Sequence, residues 1–387
     1  MSSERSYAYR AILLFGVVSF LGDLIYEGAR GIVPSYLAYL GASALLIGLI
    51  SGVSEFLGLS LRLVTGILTD VTRSYWTLYA FGYILLISIP LLGFSDALPF
   101  AVALIIIERV AKAIRSPARD ALISFLSKSI GAGKSFGIHE ALDQFGAILG
   151  PLIMGITLSL TSNSYSMTFP VTFIPYAFLI LSVLYVYRNY SHVTPVRELS
   201  NKNRSFNYSA EFWLYNISVL LNTIGLIHIS LLVLSSSKAF NPVTAAFIYT
   251  LIQGIDMFSA LIAGFMYDKL GRAFLFLPFT LSVIPSALTL LGGQLGLIAA
   301  AVIYGFILGM QESIYRAAIS GIVPDSQRGS AYGIFNTFYG IGSLASAAAF
   351  GYFIDRALIL HGLIFTLITQ TLASFTLLLS LRVKTNY

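Results

Sequence analysis

Apolar stretches of about 20 residues follow one another along the whole chain, each long enough to cross a hydrocarbon core of roughly 30 Å as a helix. The first begins at Ala11 and the last ends near Arg382. Composition agrees with a membrane solvent. Hydrophobic residues make up 57% of the chain and charged residues 10%, against about 25% charged in a soluble domain. The expected spans lie near 11–31, 43–66, 76–94, 97–115, 136–159, 169–188, 211–233, 243–264, 273–291, 295–317, 331–353 and 361–382. The fold class is therefore an all-α polytopic membrane protein with twelve transmembrane helices, and the lipid bilayer is its first partner.

Positive charge orients these spans. With the N-terminus in the cytoplasm, 18 of the 23 Lys and Arg residues fall in cytoplasmic segments. Arg30, Lys238 and Arg356 lie at or beyond outer ends, while Arg62 and Arg109 lie within spans. Such a bias calls for both termini inside and a multi-pass protein of the cell membrane. The net charge of +6 is thus assigned to sidedness and not to a nucleic-acid partner. "MSSERSYAYR" leads directly into the first apolar run, so no cleaved signal is expected. The chain has no cysteine, which excludes disulfides and thiolate metal sites.

An internal echo divides the chain in two. "GILTD" begins at Gly66 and "GFMYDKLGR" at Gly264, 198 residues on. Arg119 and Arg316 open two further similar runs, 197 residues apart, and Gly137 and Gly146 are echoed by Gly333 and Gly342 at 196. A near-constant offset implies two related halves with a substrate path between them. The organisation expected is a six-helix bundle over 1–188, a cytoplasmic linker over 189–210 and a second six-helix bundle over 211–387.

With these motifs the chain resembles the major facilitator superfamily over essentially its whole length. The family's loop signature is a Gly, an Asp four residues later, then a Gly-Arg pair. Gly264, Asp268, Gly271 and Arg272 carry it in the second half; Gly66, Asp70 and Arg73 carry it in the first, without the Gly before the Arg. The resemblance implies two pseudo-symmetric bundles, with these loops latching the cytoplasmic side during alternating access. Arg109 and Lys112 resemble the fourth-helix signature associated with proton-coupled members. Gly146, Gly150, Pro151 and Gly155 resemble the fifth-helix signature of antiporter-type exporters, without its doubled terminal glycine.

The spans also hold charge. Asp23 and Glu27 share one face of the first helix, with Arg30 beyond them; Glu55 and Arg62 lie on the second and Glu108 on the fourth. His139, Glu140 and Asp143 open the fifth and read as a polar cluster, not a metal site. Each ionised side chain facing lipid costs on the order of 3 kcal/mol, so these residues are expected to face inward and pair. Asp23, Glu27, Glu55 and Arg109 are the proton-coupling candidates, Asp23 first because mid-helix burial favours its neutral form. The bland alternative is a static ion-pair network. Glu108 is expected to pair with Arg62 and, with Lys112 and Arg115, to belong to the cytoplasmic gate. "RSPARD" reads as a helix end broken at Pro117, with Arg115, Arg119 and Asp120 anchoring the cytoplasmic face. Substrate-cavity candidates are Tyr26, Arg30, Glu140, Asp143, His228, Gln253, Asp256, Gln311, Glu312 and Arg316, with Glu312 and Arg316 able simply to pair with each other.

"GAGKS" at 131–135 is not a phosphate-binding loop, because the pattern needs Gly where this chain has Lys128. No nucleophile motif or metal-ligand spacing is present, so no enzyme activity, metal or cofactor is expected. The reading is a secondary active transporter, functional as a monomer, with protons as the coupling ion, that exchanges them for an outward-moving small organic molecule. Proton-coupled uptake of an anionic nutrient held by Arg109 or Arg30, a lipid-like substrate and a non-transporting receptor remain as alternatives.

Overall fold

The computed structural model describes residues 2–127, 130–192, 208–324 and 327–383. Lys128, Lys384 and most of the expected linker, including Arg197, Lys202 and Arg204, lie outside the described residues. Among the described residues there are helices and no strand. Helices α1 (Ser2–Tyr39), α2 (Ala44–Thr72), α3 (Tyr75–Phe94), α4 (Leu98–Leu126), α5 (Ala132–Leu160) and α6 (Tyr165–Tyr190) come first. Then follow α7 (Ala210–Gly225 with Ile229–Ala239), α8 (Pro242–Leu270), α9 (Phe276–Leu281 with Val283–Leu291), α10 (Gln294–Ile322), α11 (Arg328–Asp355) and α12 (Ile359–Arg382).

Among the described residues, ten stretches are long and apolar enough to cross a membrane by length and composition. One is the 50-residue run Pro242–Leu291, which contains both α8 and α9. The helix outside the ten is α4, whose charges from Glu108 to Asp120 dilute its apolar run. Large apolar side chains point outward, with Leu261 73% and Leu181 62% exposed. In water such a surface would drive association, whereas lipid is its natural solvent.

The chain forms two compact units. One comprises Met1–Val33 and Leu61–Ser200, the other Pro34–Ser60 and Asn201–Tyr387. Both α1 and α2 therefore contribute to each. In the first unit α1 and α5 meet backbone to backbone. A Cβ at Gly150 would stand 2.5 Å from the Leu24 carbonyl oxygen, and one at Gly146 2.4 Å from that of Phe20. The fifth-helix glycines thus hold α5 against the face of α1 that carries Asp23.

Two helices depart from expectation. Pro117 does not end α4, which continues to Leu126. Proline removes the N–H that would bond the Ala113 carbonyl, and that carbonyl instead accepts the Thr65 hydroxyl at 2.6 Å. Conversely, the expected span 211–233 is interrupted inside, where Leu226 and His228 are extended. Ser286 of α9 serves the break, accepting the Ile227 N–H at 2.8 Å and donating to the Gly225 carbonyl at 3.1 Å. Broken backbone at membrane depth persists only where protein groups satisfy it in this way. A single π-turn, Gln311–Tyr315, interrupts α10, a feature frequent at functional sites.

Candidate functional site

The first unit gathers charge around Tyr26. On α1, helical spacing places Asp23, Tyr26, Glu27 and Arg30 on one face. The Tyr26 hydroxyl donates to Asp23 Oδ2 at 3.0 Å, and Glu27 pairs with Arg30 at 3.0 Å. From α4, Lys112 donates to the Tyr26 hydroxyl and its Nζ lies 4.0 Å from the ring centroid. One turn on, Arg115 lies 5.4 Å from the Tyr26 ring and 5.2 Å from that of Tyr83 on α3, a doubled cation–π contact. The charged groups acting on Asp23 are Asp143, Lys112, Glu27 and Arg115.

A second tier lies one turn along α4. Arg119 pairs with Asp120 at 3.0 Å and donates to Ser19 Oγ at 3.2 Å. Ser19 also contacts His139 Nε2 at 2.7 Å and the Tyr83 hydroxyl at 3.3 Å. Buried polar atoms without a hydrogen-bond partner among the described residues include Arg115 Nη1, Asp143 Oδ1 and Glu108 Oε1.

Several expectations need correction. Glu108 pairs with its neighbour Arg109, at 3.2 Å, rather than with Arg62. Arg115 is only 2% exposed and is not a surface anchor; continuation of α4 through Pro117 keeps it within the packed bundle. Glu140 is exposed and the preceding His139 is buried. Of the proton-coupling candidates, Asp23, Glu27 and Arg109 belong to the first unit and Glu55 to the second.

In the second unit polarity is mostly neutral. Asn222 on α7 accepts from the Tyr315 hydroxyl at 2.8 Å and donates to Gln370 at 2.8 Å and Ser282 at 3.2 Å. Gln370 returns a bond to the Asn222 carbonyl at 2.8 Å, and Tyr339 donates to Gln311 at 3.0 Å. At the α7 break His228 Nδ1 accepts the Ser230 N–H, and Nε2 meets Glu55 Oε2 at 2.9 Å. Gln253 and Asp256 are buried on α8. Glu312 and Arg316 are exposed.

The two loop signatures differ. Gly271 has φ +66°, and the following Arg272 pairs with Glu211 and donates to the Gly321 carbonyl at 2.6 Å. In the first unit Arg73 itself adopts φ +54°. Arg73 therefore occupies the turn position of Gly271, and Ser74 stands where Arg272 stands. Asp70 and Asp268 are exposed; Tyr75 reaches Asp70 at 3.5 Å.

Sequence reasoning missed Tyr83 and Ser19, which bind the charged helices together. A signal existed for the first, since Tyr75, Tyr79 and Tyr83 recur every four residues along α3. Gln370 was also missed; a lone amide in an apolar helix carries no spacing cue.

The sequence model of the Major Facilitator Superfamily matches residues 15–347. An uncharacterized protein of Mycobacterium tuberculosis is 34% identical over 359 residues, covering 90% of this chain and 87% of the relative. An uncharacterized MFS-type transporter of Methanocaldococcus jannaschii is 27% identical, covering 88% and 87%. Among solved structures, the nucleoside transporter NupG aligns with TM-score 0.77 at 16% identity, over 96% of this chain and 100% of that one. A peptide transporter, POT, in complex with sulfate aligns with TM-score 0.76 at 13% identity, over 96% and 94%.

Proposed function

The chain belongs to the Major Facilitator Superfamily, and from that premise we propose that it is a secondary active transporter exchanging protons for a small organic molecule, with Asp23 as the proton-carrying group. The observation that carries the reading is the buried cluster around Tyr26. Asp23 is 8% exposed, bonded to a tyrosine and surrounded by two further carboxylates and two cations. Such a carboxyl changes charge at a cost its neighbours set, as coupling requires. Exchange further requires that proton and substrate use the same groups in turn. The packing of Gly146 and Gly150 on this face of α1 links the exporter-type glycine pattern to Asp23 directly.

The reading includes two halves, 1–188 and 211–387, joined by 189–210, with both termini cytoplasmic in the cell membrane and the monomer as working unit. No metal or cofactor enters the cycle, and no bond of the substrate is made or broken. The Arg272–Glu211 pair ties the turn after α8 to the start of α7 within the second half.

Thermal stabilisation of the purified chain by a metabolite library, at acid and at neutral pH, tests this beside Asp23→Asn. The expected result is a stabilising compound that weakens at acid pH in the wild-type chain and is indifferent to pH in the variant. The same pH response in both proteins removes Asp23 as the carrier.

A further inference from the structure

The stretch Pro34–Ser60 packs with residues 201–387, although the chain on either side of it, up to Val33 and from Leu61, packs in the first unit. It is a hairpin made of the end of α1, the turn at 40–43 and the first half of α2. The internal echo places its counterpart near 231–257, and that counterpart stays with its neighbours in sequence. One hairpin of a related pair is thus packed away from its own half, and the other is not. The division in α1 falls at Pro34, which has no N–H to bond the Arg30 carbonyl and so marks the point where that helix bends most easily.

Two kinds of contact hold the hairpin. Along α11 it rests on a line of glycines. A Cβ at Gly351 would stand 2.7 Å from Leu45 Cα, one at Gly52 2.9 Å from Leu344 Cα, and one at Gly340 3.2 Å from Phe56 Cα. Close approach of this kind is held mainly by van der Waals packing, because lipid tails are as apolar as the helices they replace. The directional contact lies at one end. Asp355, the last residue of α11, accepts the Ala44 N–H on Oδ1 and the Leu45 N–H on Oδ2, each at 2.8 Å. These are the first two N–H groups of α2, which the helix itself leaves unbonded. Ser43 Oγ accepts the third, from Leu46, at 3.3 Å. The charged side chain acting on Asp355 is Lys238, in the last turn of α7. Asp355 is exposed, so on release water takes over its bonds and no charge is stranded. Such a contact is specific and reversible.

We propose that Asp355 is a positioning residue of the transport cycle: it clasps the hairpin Pro34–Ser60 to α11, and its release lets the hairpin bend at Pro34 and bare the glycine line of α11. This rests on the transporter reading, in which both termini are cytoplasmic and Asp355 is therefore on the outer side. Asp355 touches no substrate. It sets the balance between the clasped and the released hairpin.

The chain has no cysteine, so pairs of introduced cysteines carry spin labels without background. Leu46→Cys on the hairpin and Leu295→Cys at the start of α10 replace exposed side chains. Their separation is measured in the purified full chain in lipid nanodiscs. Leu295→Cys with Leu360→Cys, also exposed and both outside the hairpin, is the reference pair. The wild-type chain is expected to show one dominant separation between 46 and 295. Asp355→Ala is expected to raise the ratio of a longer separation to that one by about 10-fold or more, as loss of hydrogen bonds to a charged group implies, with the reference pair unchanged. Asp355→Asn, which keeps the shape and loses the charge, is expected to give a smaller rise in the same direction, and it carries the test where Asp355→Ala does not fold. Unchanged separations in a folded Asp355 variant overturn the clasp even if the thermal midpoint falls, since Asp355 is then a helix cap and nothing more. An equal change in the reference pair overturns it too, because the whole unit is then loosened. Flux into proteoliposomes separates the two readings. A longer separation in a chain that moves no compound leaves the clasp standing and removes the transporter, whereas flux with unchanged separations does the reverse.

Discussion

The two units bury comparable polar networks but build them from opposite materials. Around Tyr26 the first unit uses carboxylates, a lysine and arginines, and leaves Arg115 Nη1 and Asp143 Oδ1 unbonded. Around Asn222 the second uses amides and hydroxyls, and both polar atoms of the Asn222 side chain are occupied. A neutral, satisfied network fixes one arrangement and is indifferent to protons. A charged, unsatisfied one changes energy with each proton gained or lost. The difference teaches that the Asn222 layer closes on itself as a neutral network, while the Tyr26 layer buries charges and leaves some of their polar atoms unbonded.

The strongest way to break the comparison is to remove the platform beneath the charges. At Gly150 any side chain meets the Leu24 carbonyl oxygen at 2.5 Å and the Gly28 nitrogen at 2.8 Å, both backbone and unable to swing aside. Gly150→Leu should destabilise the chain by about 3 kcal/mol and abolish ligand binding, read from the thermal midpoint and from monodispersity after purification. Gly254→Ala, where nothing lies within 4 Å of the added carbon, should change stability by no more than about 1 kcal/mol. Equal behaviour of the two would show that α1 and α5 are not held at this contact.

The next effect lies in the neutral network. Asn222→Ala strips partners from Gln370, Tyr315 and Ser282 together and should cost about 2–3 kcal/mol. The loss should be the same at acid and neutral pH, because no member of that layer titrates in between. A loss that varies with pH would tie the layer to Glu55 and His228 and erase the contrast with the first unit.

How much of this was legible in the sequence follows from the range of the interactions involved. The spans rest on composition over 20 residues or more, and most of them fall in helical stretches, 211–233 with a break inside. Local spacing also served well, as in the Glu27–Arg30 pair. Failures came where a distant group repaired a local defect. Pro117 reads as a break until Thr65 is placed beside the Ala113 carbonyl, and α7 reads as continuous until Ser286 is placed beside Ile227. Arg115 reads as an anchor because its two tyrosines come from different helices, 89 and 32 residues away in sequence. Pairing across helices is set by packing, and one chain without its relatives carries no record of it.

The smallest effect tests the two cytoplasmic turns. Arg73 ends α2 with its N–H bonded to the Thr69 carbonyl at 2.9 Å and φ at +54°, a left-handed cap that favours glycine. A side chain in that conformation costs about 1–2 kcal/mol, while glycine costs about 0.5–1 kcal/mol of extra chain entropy. Arg73→Gly should therefore stabilise the folded chain by up to about 1 kcal/mol, and Gly271→Ala should destabilise it by a similar amount, both read as shifts in thermal midpoint. The side chains differ more than the turns do. Arg272 reaches Glu211 and the Gly321 carbonyl, whereas Arg73 is exposed. If Arg73→Gly lowers stability instead, the arginine holds a contact stronger than its backbone strain, and both turns are pinned by their arginines; if stability rises, only the turn of the second unit is.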